Sequence, residues 1–222
     1  MSLPGTRLVE AKLPSLLMTL PVRSAVFELS DARVLWSPAS SLTPAQLREL
    51  GEITDIVAPS LLHTGGVPGA AAAHPSARLW GPRGAREKQP ALGWHGVFGV
   101  DAWPYDDELA VVPLDGAPKV REHLFLHRAS RALYLVDAVF HVNDPEGPLT
   151  GLFLRMFGTY RRFAVSKLFL SMVRDRAAFE ASVARVAALD FDHVVMAHGE
   201  AVLGDGKARL LEAFRERRLL GG

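Results

Sequence analysis

Between Ala132 and Val142 the chain reads ALYLVDAVFHV, an apolar run interrupted only by Asp137 and His141. A half-solvated strand alternates apolar and polar residues. A near-continuous apolar run belongs to a strand buried on both faces, and such strands occur where helices cover a sheet. That restricts the chain to layered α/β architectures. It also makes Asp137 conspicuous, because an isolated carboxylate in an apolar strand costs several kcal/mol unless it is paired, hydrogen-bonded or metal-bound.

The remaining elements agree with helices interleaved among strands. Val22–Leu29 and Arg33–Ser37 are apolar runs joined by Ser30-Asp31-Ala32, a hairpin pattern. Thr43-Pro44-Ala45-Gln46 combines a capping residue, a first-turn proline and a capping-box glutamine, and Gly51 is placed to end that helix. Ile53–Ala58 reads as a buried strand. Pro59–Gly66 reads as a loop hinged at Gly65-Gly66, followed by an Ala-rich helix to His74 and a strand at Ala77–Trp80. Gly81–Pro104 is a long irregular segment holding Trp94, His95 and Trp103, which either line a pocket or cover a sheet edge. Strands follow at Leu109–Pro113, Val120–His127 and Ala132–Val142. Pro148–Val173 reads as one long helix, whose Arg and Lys residues form a solvated face or meet an anion, and Asp175–Leu189 as another. Asp192–Ala197 is a last strand, and Asp205 caps a final helix to Arg217. Strands with helices between them, twice over, imply α/β with the helices outside. With no internal repeat or linker, residues 1–222 are expected to form a single domain.

Composition removes several functions. The balance of 25 Lys and Arg against 24 Asp and Glu argues against a nucleic-acid partner. With no cysteine, thiolate nucleophiles, Cys-ligated zinc and iron–sulfur clusters are excluded, so any metal must be held by carboxylates and some of the eight His. No segment approaches the ~20 apolar residues of a membrane span. Leu13–Val22, interrupted by Pro14 and Pro21, reads as a lead-in to the first strand rather than a signal peptide. The expectation is a cytoplasmic protein with no membrane partner. P-loop, nucleophile-elbow and H-E-x-x-H motifs are absent. His123 and His127 lie four apart, but on a strand that spacing is about 13 Å, too far for one ion.

Three polar residues stand in or just after strongly apolar strands: His63, Asp137 and His198. Ligands at the ends of neighbouring strands are where α/β folds place sites. Asp55, Asp192 and Glu200 are the nearby acids available to orient a ligating imidazole.

The element order and several strings resemble the metallo-β-lactamase superfamily, an αββα sandwich whose usual members are zinc- or iron-dependent hydrolases. That family's H-x-H-x-D-H motif, followed by Gly-Gly, corresponds to Ala58-Pro59-Ser60-Leu61-Leu62-His63-Thr64-Gly65-Gly66. The last His is kept as His63. Ala58 and Ser60 replace the first two His, and Leu62 replaces the Asp. The family's bridging Asp corresponds to Asp137 in Val136-Asp137-Ala138-Val139-Phe140. Its terminal G-H-G is similar to Ala197-His198-Gly199, while the mid-chain His has no counterpart near Gly116-Ala117. More narrowly, LWSP, IVAP, ALYLVDAVF and VVMAHGE resemble an uncharacterised bacterial branch with an eroded motif. The resemblance implies that one metal subsite is lost and that the other survives as His63, Asp137 and His198, able to hold one zinc or iron ion and no organic cofactor. It leaves three functions open: a non-catalytic protein that binds a small molecule or partner in the former cleft, a one-metal hydrolase of a small ester, amide, thioester or phosphoester, and a mononuclear Fe(II) redox protein.

Overall fold

The computed structural model describes residues 3–14 and 18–220. Strands β1 (Thr6–Pro14), β2 (Thr19–Glu28) and β3 (Arg33–Trp36) form an antiparallel meander. Strands β4 (Asp55–Val57), β5 (Arg78–Gly81) and β6 (Trp94–Val97) extend it in parallel to a six-stranded sheet. The second sheet contains β7 (Leu109–Pro113), β8 (His123–His127) and β9 (Ala132–Leu135). Strand β12 (His193–Met196) joins it on the outer side of β9, in parallel. Between these last two in sequence, β10 (Val139–Phe140) and β11 (Ala164–Val165) form a small pair of their own.

Helices cover the outer faces of both sheets. On the first, Leu47 of α1 (Pro44–Arg48) and Val67 and Ala70 of α2 (Val67–Ala73) pack on Val26, Leu35, Ile56 and Leu79. Ala85 of α3 (Ala85–Lys88) joins them. On the second, Phe169 of α5 (Lys167–Ser171), Phe179 of α6 (Arg176–Ala188) and Phe214 of α7 (Gly206–Glu216) pack on Leu133, Leu135, Val194 and Met196. Between the sheets lie Phe27, Trp36, Trp80, Phe125 and Tyr134. The architecture is therefore the four-layer αββα sandwich expected from the sequence. No helix among the described residues is long and apolar enough to cross a membrane.

Local chemistry explains most element ends. The Thr43 hydroxyl accepts from Gln46 N while the Gln46 side chain accepts from Thr43 N, the capping box of α1. Asp175 caps α6 by accepting from Ala178 N. Gly66 has no room for a side chain, because a Cβ there would lie 1.9 Å from the carbonyl oxygen of Pro38.

Four expectations are corrected. Residues before Val22 are not a lead-in but supply β1 and the start of β2, whose register places Glu10 opposite Arg23, with Arg23 Nε donating to Glu10 at 2.7 Å. Of that stretch, residues 15–17 lie outside the described ones. Gly81–Pro104 contains α3 and β6; Trp94 is buried at the sheet edge, while Trp103, whose indole donates to Leu109 O, also lines a cavity of about 230 Å³. Pro148–Val173 is not one helix. The helix α4 (Pro148–Met156) ends where Gly158 takes a φ of +70° and Arg161 one of +50°, and the chain then forms β11 and the short α5. Finally, Ala132–Val142 is two strands, β9 and β10, separated at Asp137.

The Gly66 contact predicts that Gly66→Ala lowers the unfolding free energy by about 1–3 kcal/mol through overpacking. Gly93→Ala, at an exposed glycine where a Cβ meets nothing within 4 Å, should change it by less than about 0.5 kcal/mol. Denaturant titration of the two variants checks both.

Candidate metal centre

Three loops meet at one end of the sandwich. The loop after β4 carries Ser60 and His63, the break between β9 and β10 carries Asp137, and the segment after β12 carries His198. Their ligating atoms all lie within 4.8 Å of one another. His63 Nε2 is 3.4 Å from Asp137 Oδ1, and His198 Nε2 is 3.7 Å from the same oxygen.

The break at Asp137 has a definite cause. Glu122, at the entrance of β8, is fully buried. Its carboxylate accepts from Val136 N at 2.7 Å, Asp137 N at 3.1 Å and Ala138 N at 3.0 Å. Three consecutive amides that a straight strand would spend on its neighbours go instead to one side chain, so β9 ends there and the chain turns. Burial and the charge of Asp137 push the Glu122 carboxyl up to about 8, against the downward pull of the three amides.

The loop at His63 is held to the same region by backbone bonds, Leu61 N to Val120 O and His123 N to Pro59 O. At the far side, Gly199 has a φ of +109°, and a Cβ there would lie 2.0 Å from His141 O. Only glycine lets the chain pass His141 directly after His198.

Each of the three side chains is oriented by a neighbour. His198 Nδ1 lies 2.9 Å from Pro21 O. A carbonyl only accepts, so Nδ1 carries the proton and, in the neutral ring, Nε2 presents a lone pair. Phe140 stacks on the same ring at 4.7 Å and 15°. His63 Nδ1 lies 2.8 Å from Ser37 Oγ. Ser37 itself has a φ of +51°, a conformation that costs a non-glycine residue roughly 1–2 kcal/mol. Ser24 braces it by donating to Ser37 O at 2.8 Å and accepting from Ala39 N at 3.0 Å. Ser60 Oγ donates to Asp137 Oδ2 at 3.1 Å, which leaves Oδ1 to the two imidazoles. Burial raises the Asp137 carboxyl, but His63 and His198, when protonated, outweigh it and hold the group below the usual carboxylate range.

The chemistry of this donor set fits a metal ion. Distances of 3.4 and 3.7 Å exceed the roughly 2.7–3.2 Å of N–H···O hydrogen bonds. Bond lengths of about 2.0–2.2 Å place neighbouring donors of a tetrahedral ion roughly 3.3–3.6 Å apart. Two imidazoles and a carboxylate suit zinc or iron. Beside them is a cleft of about 230 Å³ walled in part by Leu13, Leu20, Val22 and Leu62. Leu62 is 47% exposed.

Other residues raised by the sequence fall elsewhere. Asp55 is buried against Arg78, Trp80 and Tyr105, Asp192 pairs with Arg131, and Glu200 accepts from Asn143, so none of these acids orients a ligand. His123 and His127 lie on β8, as the strand reading required. The orienting groups, Ser37, Pro21 O, Phe140 and Glu122, escaped the sequence reading. Only Glu122, a charge directly before an apolar strand, carried a signal that could have drawn attention.

No protein-family model matches the chain, and neither does any curated protein. Solved structures do. A metallo-β-lactamase from Pontibacter korlensis is similar over 96% of this chain and 95% of its own, with TM-score 0.64 and 10% identity. The metallo-β-lactamase FIM-1 from Pseudomonas aeruginosa, in its mono-zinc form, is similar over 98% and 93%, with TM-score 0.63 and 14% identity. The metal-soaked Flv1 flavodiiron core from Synechocystis sp. PCC6803 is similar over 96% of this chain and 58% of its own, with TM-score 0.66 and 11% identity.

The Glu122 arrangement has a pH signature. Its carboxyl holds a proton up to about 8 when folded but releases it near its ordinary 4.5 when unfolded, so stability falls as pH rises between these values. The His123 imidazole, pushed down by burial from 6.5 to about 4, works oppositely: the unfolded chain holds its proton longer, so stability rises with pH up to 6.5. Burial also pushes His127 down, with the same sign. Between pH 6.5 and 8 the contribution of the two histidines fades as their unfolded-state titration ends, and that of Glu122 dominates. Across it the unfolding free energy should fall by more than about 1 kcal/mol, and Glu122→Gln should flatten that slope. Denaturant titrations at several pH values decide it, and equal slopes in the two proteins would be the contrary result.

Proposed function

Because the chain has the metallo-β-lactamase fold and gathers His63, Asp137 and His198 at one end of it, we propose that these residues hold a single zinc or iron ion and that the site binds a small ligand in the adjoining cleft. The observation that carries this reading is the convergence of the three ligand atoms within 4.8 Å of one another, with both imidazole Nε2 atoms facing Asp137 Oδ1 at 3.4 and 3.7 Å, longer than ordinary hydrogen bonds. The His198 proton supports it further, since its Nδ1–H is committed to Pro21 O and its Nε2 faces a carboxylate oxygen, an arrangement that a cation between them stabilises.

When bound, such an ion supplies Lewis-acid chemistry at its open positions. The chain's own residues do the rest. Ser60 fixes the Asp137 carboxylate through Oδ2, and Ser37 and Pro21 fix the two imidazoles. Leu13, Leu20, Val22 and Leu62 form an apolar wall that favours a ligand with an apolar part. Leu62 stands where the resembling family has an Asp, and an apolar side chain can neither take a proton nor orient water. The site is in that sense degenerate, and binding without turnover is the reading we favour. A second reading, a one-metal hydrolase of a small ester, amide, thioester or phosphoester, is favoured by the ligand count: two His and one carboxylate leave a position open, as catalytic zinc sites do.

Metal analysis of protein purified without chelator tests the proposal. About one equivalent is expected in the wild type, with most of it lost in Asp137→Ala. Substoichiometric metal in both would contradict the proposal. Bound iron with a reversible redox signal would turn the same ligands toward electron transfer. For the degenerate reading, Leu62→Asp should raise hydrolysis of p-nitrophenyl acetate or bis(p-nitrophenyl) phosphate at least about tenfold at equal metal content. Wild-type turnover already at that level would favour the hydrolase.

A further inference from the structure

A second cavity, of about 550 Å³, lies on the other side of Glu122, and none of its lining residues lines the cleft at His63, Asp137 and His198. Its size is ordinary for a small-molecule site, roughly 300–1,000 Å³. Three arginines line it: Arg83, Arg121 and Arg174. Among the described residues none of them is paired with a carboxylate. Arg83 makes no side-chain hydrogen bond or ion pair among the described residues. Arg121 donates from Nε to Pro118 O at 3.2 Å, and Arg174 from Nη1 to Ser171 O at 3.2 Å, so each keeps further N–H groups free.

None of the cavity's acids forms an ion pair with the three arginines among the described residues, although Asp175 keeps its charge there. Asp115 pairs with Arg185 at 2.6 Å, Asp175 accepts from Ala178 N, and Glu122 accepts from its three amides. Arg121 is held in place by a left-handed backbone with φ of +50° and by its N–H donating to Ala117 O at 2.9 Å. Backbone strain of this kind persists only where surrounding structure enforces it.

His123 supplies the second, independent feature. Only 9% exposed, it lines the same cavity. Its Nδ1 lies 3.1 Å from Arg121 O, so Nδ1 carries the proton and Nε2 is a bare acceptor. Nε2 has no partner among the described residues. Burial pushes this imidazole down to about 4, so at neutral pH it accepts a hydrogen bond and carries no charge. Phe98, with its ring 5.3 Å from that of His123, and Pro118 give the cavity apolar surface.

We propose that this cavity binds a small organic oxyanion, a carboxylate or phosphate monoester, whose head is held by Arg83, Arg121 and Arg174 and whose body bears a hydroxyl or N–H that donates to His123 Nε2. Guanidinium forks match the geometry of both heads. A neutral acceptor deep in the wall selects a ligand that carries a donor, and Phe98 and Pro118 cover its apolar part. The proposal does not depend on the metal centre.

Titration calorimetry with the three hydroxybenzoates, benzoate, phenyl phosphate, phenol and inorganic phosphate tests it. At least one hydroxybenzoate should bind about tenfold or more tighter than phenol or inorganic phosphate, and phenyl phosphate against benzoate, which both lack the donor, compares the two heads. Arg121→Gln combined with Arg174→Gln, the first half-buried and the second exposed, should weaken that binding at least about tenfold, with an unchanged unfolding midpoint showing that the variant folds. His123→Phe should erase any preference for a hydroxybenzoate over benzoate while benzoate affinity stays within about threefold. His63→Ala should leave all these affinities unchanged. Absence of binding by every organic probe, binding indifferent to the arginine pair, inorganic phosphate binding as tightly as the organic anions, or loss of binding in His63→Ala would each overturn the proposal.

Discussion

The candidate site hangs on one buried carboxyl group. Glu122 accepts hydrogen bonds from three successive backbone amides, Val136 to Ala138. Removed from water and left unpaired, those amides would cost free energy comparable to lost hydrogen bonds. Gathered by Glu122, they end β9, turn the chain and present Asp137 beside His63 and His198. The residues around Glu122 also anchor the loop from the other sheet, through Leu61 N to Val120 O and His123 N to Pro59 O. The seam between the sheets, the position of Asp137 and one wall of the arginine-lined cavity therefore share a single support.

Around Asp137 the two carboxylate oxygens have different partners. Ser60 takes Oδ2, and the imidazoles approach Oδ1. In the resembling family the position of Ser60 is a metal-ligating His, so a hydrogen-bond donor to the remaining carboxylate stands in place of a ligand. Leu62, in place of an Asp, adds an apolar wall to the cleft. These two positions are why we favour a single ion and a binding role over the two-metal hydrolysis usual in that family.

Much of this was legible in the sequence, and the reasons differ by element. The capping box at Thr43, the helix beginning near Asp175 and the strands of the second sheet are marked by local patterns, whereas Asp205, expected to cap the last helix, takes the N-cap position of α7 without a side-chain hydrogen bond. His63, Asp137 and His198 stand out because polar groups at apolar strand ends need an explanation. Strand β1 was hidden because its definition is its pairing with β2, nine residues set by long-range register rather than by local alternation. The apolar residues between 148 and 173 mimic helix content, but the left-handed backbone at Gly158 and Arg161 and the β10–β11 pairing override it. The split at Asp137 was illegible for a similar reason: its cause, Glu122, lies 15 residues away in sequence. Backbone partners such as Pro21 O leave no trace in side-chain identity at all.

The most direct measurement of the central claim is anomalous X-ray diffraction at the zinc edge from crystals of chelator-stripped protein grown with zinc at a slight molar excess. The account predicts one anomalous peak, within bonding distance of His63 Nε2, His198 Nε2 and Asp137 Oδ1. An ordered site with no peak there, or zinc bound only by other residues, would contradict it.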